Sequence, residues 1–396
     1  METVKDTMNF DFNLKTNAKF GAEKALHLPK YLKELSLTRP GVIIDSGIAV
    51  HEYVKKVIAA LEKDPDLIVT VWVYDLRHEP DYDALDRIKT IFLDVTGKPV
   101  TDCFVGIGGG SVIDFAKGLA TVVVNPGKAV QYKGFPTGIT QSLPTIAIPT
   151  TAGTGSEVTY NAVFTDNAMK KKLGINTRNN YPVLAILDPL FTVNSPMPVS
   201  VSSGMDALVH TLESYMAVQA NPLSRIFARE AFSRVFNNLK LIRDKPGDIW
   251  IRANVQYGAY LAGISLINSG SGVAGALSYP LGVHFKVPHG IAGAVFIPHV
   301  IWHNVKAGYD FSELYDLIDG ADHTLTDKEK NKLFSDQIFA ICEELDVPDN
   351  LGGFGMNTGN VDLFLNEIDS LERAFAQNPV PFTIEDGKRL VRSMTP

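Results

Sequence analysis

The sequence predicts a doubly wound α/β domain with a mostly parallel, nucleotide-binding sheet, followed by an all-helical domain. Up to about residue 190, short apolar runs without alternation are separated by segments of helical period, which is how strands buried on both faces read. After Asp188-Pro189 no β-branched alternating run appears. Between a strand and a helix, Gly106-Ile107-Gly108-Gly109-Gly110-Ser111 marks the turn where such sheets bind ligands, at the carboxyl ends of their strands. The expected division is an α/β domain over 1–190 and a helical domain over 191–396, two domains being the expectation for 396 residues.

Taken in order, Gly41-Val42-Ile43-Ile44-Asp45 reads as a first strand ending in an acid, with a helix from about Val50 to Lys63. Leu67–Tyr74 is a second strand, and Tyr82 to Thr96 has helical period. Cys103–Ile107, Thr145–Pro149 and Val183–Asp188 supply three more strands. Beyond them, 204–276, 310–346 and 360–395 read as helices, with breaks at Lys245-Pro246-Gly247, Pro280 and Pro348.

Composition narrows the function classes. The chain is 45% hydrophobic and 20% charged, as soluble globular proteins are. A net charge of −7 argues against nucleic acid or an anionic membrane as partner. The Lys170-Lys171-Lys172 run is too short to alter that. Two cysteines, Cys103 and Cys342, exclude a cysteine-based zinc site and a disulfide scaffold. Met1–Asp6 is polar and no apolar run approaches the ~20 residues of a membrane span, so a cytoplasmic protein is expected.

Four stretches carry chemistry. In Gly106 to Lys117 the glycines let the backbone approach a phosphate, and amides at the helix start bind its oxygens. Ser111 stands where the full dinucleotide fingerprint has its last glycine, and is placed to cap the helix or donate to the same anion. A tight strand-to-helix turn is the other reading. Pro149 to Thr159 crowds hydroxyls and glycines after a strand, suiting a loop laid against a nucleotide. Asp45 is placed to accept from adenosine ribose hydroxyls and would repel a 2′-phosphate, which favours NAD over NADP; a solvated strand-end acid is the alternative. Asp206 and His210, four apart on a helical stretch, share one face and are half of a divalent metal site. An Asp at a helix start with an ordinary core His is the other reading. Pro288-His289-Gly290 places a further His at a helix start, within a run of five histidines from 210 to 303.

These stretches, with Ser278-Tyr279-Pro280-Leu281-Gly282 and Ile297-Pro298-His299-Val300, resemble the iron-containing (group III) alcohol dehydrogenase family. The likeness runs from about residue 16 to the C-terminus. It implies hydride transfer between a nicotinamide cofactor, NAD rather than NADP, and a small alcohol or aldehyde such as a diol, hydroxy acid or sugar acid. The resemblance gives Asp45 the adenosine ribose and the Gly108, Gly109, Gly110 and Ser111 loop, with Asp114 in the same motif, the pyrophosphate. Thr150, Thr151 and Thr154 would line the nicotinamide half, with Lys172 reaching the cofactor from a hairpin. Asp206, His210 and His289 match three of four ligands to Fe2+ or Zn2+ in a cleft between the domains. Tyr279 is placed to position substrate or relay a proton, or simply packs. The family often forms dimers.

Where the family commonly carries a fourth ligand, a His, this chain has Gly275. Three readings stay open: a metal held by three side chains with water or substrate completing it, His284 as a replacement ligand, or a metal-free site. The alternatives are a metal-free family member, serving as a nucleotide-binding sensor or scaffold or working by altered, non-metal reduction chemistry, and a lyase or synthase on the related dehydroquinate-synthase-like fold.

Overall fold

The computed structural model describes residues 9–75, 80–139, 141–169 and 171–396. Met1–Asp6, read above for a leader, and Lys170 of the lysine run lie outside them. Two compact units divide the chain: Leu14–Ser195, and Pro196–Pro396 together with the segment ending at Asn13. That segment joins the helical unit because Asn13 and Asn268 exchange two hydrogen bonds, of 2.6 and 2.9 Å, and Phe12 stacks on Phe227.

The first unit is built on strands β1 (Asn17–Phe20), β2 (Pro40–Asp45), β3 (Thr70–Tyr74), β4 (Cys103–Gly108), β5 (Thr145–Pro149) and β8 (Leu184–Leu187), all parallel, in the order β1-β8-β5-β4-β2-β3. A separate antiparallel pair joins β6 (Val163–Asp166) to β7 (Lys171–Gly174). Side chains alternate across the sheet. Val42, Ile44, Val105 and Ile107 pack with Val54, Val57 and Leu61 of helix α1 (Glu52–Glu62). Ile43 and Phe104 face the other way, against Tyr82 and Leu85 of α2 (Tyr82–Lys89) and Phe115 and Leu119 of α3 (Gly110–Val122). Both faces are covered, which is why these strands read as continuous apolar runs. The edge strand β1 escaped the sequence reading, since all four of its residues are exposed. Asp45 therefore ends the second strand, not the first.

The crossover from β2 runs outward to β3, while β4 and β5 lie on the other side of β2. Asp45, the Gly108 turn and the Thr150 loop thus end three strands at one edge, the switch point of the sheet.

No strand follows Leu187 among the described residues. In the second unit, α4 (Met197–Met216) packs against α5 (Pro222–Leu239), α6 (Ile249–Ile267), α7 (Val273–Phe285) and α8 (His289–Ala294). The break expected at Pro280 does not occur. α7 runs through it, giving up the bond to the Ala276 carbonyl that a proline nitrogen has no hydrogen to make. Pro280 is buried, and packing holds the helix where local propensity would end it. No helix among the described residues is long and apolar enough to cross a membrane.

Candidate metal centre and nucleotide loop

In α4, Asp206 and His210 stand one turn apart on the same face, both buried. His289 opens α8, after Pro288 has set the entry of the chain. Gly290 lets that turn approach α4: a Cβ there would lie 3.0 Å from the Asp206 Cβ. The outcome is a convergence of three donors. His210 Nε2 and His289 Nε2 each lie 3.7 Å from Asp206 Oδ1, and a ligand atom from each of the three falls within 4.8 Å of the others.

These separations test the fit of a metal. At 3.7 Å the groups are too far apart to hydrogen-bond. Donors held about 2.1 Å from one tetrahedral ion lie about 3.4 Å apart, close to what is found. His210 Nδ1 is buried without a hydrogen-bond partner, so neither face of this imidazole is satisfied by protein alone. Leaving such groups unmet costs about 1–3 kcal/mol, a cost that a function has to justify. Two imidazoles and a carboxylate suit Fe2+ or Zn2+.

The other histidines go elsewhere. His284 lies 3.9 Å from Glu367, His299 is half-buried and edge-on to Phe339, and His303 contacts the Pro381 carbonyl. Burial lowers the His299 pKa. His284 as a replacement ligand is thereby corrected: among the described residues only Asp206, His210 and His289 form a metal-ligating group.

Beside Gly275 stands a residue the sequence reading passed over. Glu213, fully buried and on the face of α4 that carries Asp206 and His210, accepts from Gly272 N at 2.8 Å and Gly275 N at 3.0 Å. Its carboxylate caps α7, whose own N-cap, Gly272, has no side chain to do so. A Cβ at 275 would lie 2.8 Å from Glu213 Oε2. Desolvation raises the Glu213 pKa, while its hydrogen bonds to the α7 backbone oppose that. The signal was the spacing Asp206, His210, Glu213, which repeats along one helical face. Tyr279 is partly exposed, its ring 5.3 Å from that of His289.

In the first unit, β4 ends in the glycine turn and α3 begins at once. Side chains at two of the glycines would collide: a Cβ on Gly108 would come 2.3 Å from Val112 Cγ2, and one on Gly110 would come 2.6 Å from Thr154 Cγ2. Gly109 differs, its nearest neighbour being Thr151 Oγ1 at 3.4 Å. No side chain caps α3, so the capping role open to Ser111 is not taken up. The Thr150 amide donates to the Gly108 carbonyl at 2.9 Å, which joins the threonine loop to the glycine turn. Asp45 accepts from Gly47 N at 3.0 Å through Oδ1. Lys172 lies opposite Thr165 in the hairpin.

Asp114 faces inward. Its oxygens receive Ser156 Oγ and, at 2.9 Å, Val163 N, with Lys117 Nζ 3.6 Å away. It ties α3 to the threonine loop and the hairpin. Burial raises the Asp114 pKa, lowers that of Lys117 to about 8, and raises that of the neighbouring Glu157 to about 7.

Known proteins resemble the chain along nearly its whole length. Residues 15–189 match the family described as iron-containing alcohol dehydrogenase, and 200–395 match the Fe-containing alcohol dehydrogenase family, C-terminal. Long-chain-alcohol dehydrogenase 1 of Geobacillus thermodenitrificans is 31% identical over 362 residues, 90% of this chain and 89% of that one. An NAD-dependent methanol dehydrogenase of Bacillus methanolicus is 37% identical over 215 residues, 54% of this chain and 56% of its own. Among solved structures, a 1,3-propanediol oxidoreductase superposes with a TM-score of 0.89 at 25% identity, covering 98% of this chain and 100% of that one. The chain belongs to the iron-containing alcohol dehydrogenase family, oxidoreductases acting on CH–OH groups. The metal-free sensor or scaffold reading finds no support beside three converged donors.

Proposed function

We propose that the protein is an NAD-dependent alcohol dehydrogenase that interconverts a small polar alcohol (a diol, hydroxy acid or sugar acid) and its carbonyl, with Asp206, His210 and His289 holding Fe2+ or Zn2+. The observation that carries this reading is the three-donor convergence, too wide for hydrogen bonds and suited to one ion. When bound, such an ion supplies Lewis-acid polarisation of the substrate oxygen, and the nicotinamide supplies the hydride chemistry.

The chain's own groups do the rest. Asp206 contributes a buried negative charge that offsets the cation, while the imidazoles donate as neutral rings. Tyr279, beside His289 and partly exposed, orients the substrate hydroxyl or passes its proton to water. The Gly108–Ser111 turn receives the pyrophosphate on backbone amides, and Thr150, Thr151 and Thr154 border the nicotinamide half, with Lys172 on the hairpin. Asp114 holds these parts together from behind. Asp45 reads the ribose hydroxyls and selects NAD over NADP. A cytoplasmic dimer fits this reading.

Metal content and NADH formation test it together. Protein reconstituted anaerobically with iron or zinc is expected to keep close to one equivalent and to reduce NAD+ with members of an alcohol, diol and hydroxy-acid panel. A chelator is expected to abolish that activity, and metal to restore it. Less than a tenth of an equivalent bound, or turnover indifferent to the chelator, would overturn the metal assignment.

A further inference from the structure

The imidazole of His289 has a second contact, on the side away from Asp206. Its Nδ1 lies 2.9 Å from Ser278 Oγ, and Ser278 Oγ lies 2.6 Å from the Gly275 carbonyl oxygen. A serine hydroxyl has one proton, and a carbonyl oxygen has none to give. The hydroxyl proton therefore goes to Gly275, and Ser278 Oγ meets His289 as an acceptor. That requires the ring proton on Nδ1, which leaves Nε2 with its lone pair directed toward Asp206 and His210.

We infer that Ser278 is a positioning residue of the metal centre, fixing His289 as the Nδ1–H tautomer so that Nε2 is the donor. The inference rests on the metal assignment proposed above. The relay behind it is anchored: Glu213 holds Gly275 by its amide, Gly275 holds Ser278 by its carbonyl, and Ser278 holds His289. Glu213 sits three residues beyond His210, so α4 supplies two donors and also the far end of the chain that orients the third. Ser278 is buried, which keeps water from standing in for its hydroxyl. His210 has no such support, its Nδ1 being unpartnered. The tautomer of His289 is thus the one the fold sets in advance.

Outer partners of this kind typically govern metal affinity by 10–100-fold. The test uses the full-length protein, stripped of metal, as wild type and S278A. Zinc affinity is read by competition with a chromophoric chelator, and ring-nitrogen NMR of labelled histidine reports the His289 tautomer at a pH where the ring is neutral. The expected result is an Nδ1–H ring in metal-free wild type, with S278A binding zinc about 10–100-fold more weakly while its metal-free form, lacking the partner of a buried ring N–H, still melts cooperatively, only a few degrees lower. S278T, which keeps the hydroxyl, is expected to recover most of the affinity. An Nε2–H ring in wild type, or S278A that binds zinc as tightly as wild type, overturns the role of Ser278. Wild type that binds no zinc but shows the Nδ1–H ring instead sinks the metal assignment and leaves the relay standing.

Discussion

A Cβ on Gly290 would fall 1.8 Å from the carbonyl oxygen of Ser202. The first turn of α8 is therefore pressed onto α4 at a distance only glycine permits, and this brings His289 to Asp206. Backbone cannot rotate out of the way as a side chain can. Gly290→Ala is expected to push α8 off α4, at a cost of about 1–3 kcal/mol or more in stability. Metal retained after dialysis is expected to fall by about tenfold or more, as when a group that orients a ligand is lost. Elemental analysis beside a thermal melt checks this, and full metal occupancy in the variant would count against the geometry.

The glycines of the turn between β4 and α3 separate packing from binding. Gly110→Ala meets Thr154 and is expected to lower stability by about 1–3 kcal/mol. Gly109→Ala meets only ordinary contacts, so its melt is expected to match wild type. If the turn receives a pyrophosphate on its backbone, the same Gly109→Ala protein should nonetheless bind NAD+ more weakly, as isothermal titration would register.

Cofactor preference is expected to turn on Asp45. Asp45→Ser keeps an acceptor for Gly47 N yet removes the charge that repels a 2′-phosphate. A difference of about 1.4 kcal/mol, the scale of one charge-assisted contact, is tenfold. The ratio of kcat/KM for NADP+ to that for NAD+ should rise by about that factor. An unchanged ratio would mean that Asp45 does not read the ribose.

The pH dependence of stability should carry a signature of Glu157. Burial raises its pKa from 4.5 to about 7 in the fold. Between those values the native state keeps a proton that the unfolded chain has lost. The contribution of this group is therefore complete below pH 4.5 and is lost as pH rises toward 7. Glu157→Gln, which cannot titrate, should flatten that part of the profile in denaturant melts. A wild-type slope that persists in the variant assigns the effect to another group.

Much of the fold was legible because buried parallel strands announce themselves. Val42-Ile43-Ile44 and Ile146-Ala147-Ile148 are apolar on both sides, so their sequence alone marks them as covered by helices. β1 gave no such sign, being held by pairing to β8 and not by a buried face. Pro280 gave a false one, since a proline stops a helix locally but not against the packing of α7. At the centre itself, Asp206 and His210 were readable because one helix fixes their spacing.

What the sequence determined by itself was therefore local or periodic: the parallel sheet, the glycine turn at its edge, and two donors one helical turn apart. Tertiary structure decided which histidine joins them. His284 lies closer to the pair in sequence than His289 does, yet it sits beside Glu367 while His289 meets Asp206. The physical reason is the close contact of α8 with α4 at Gly290, with the Glu213, Gly275 and Ser278 relay orienting the ring from behind. Both depend on helices distant in sequence meeting at fixed distances, and no periodicity encodes that.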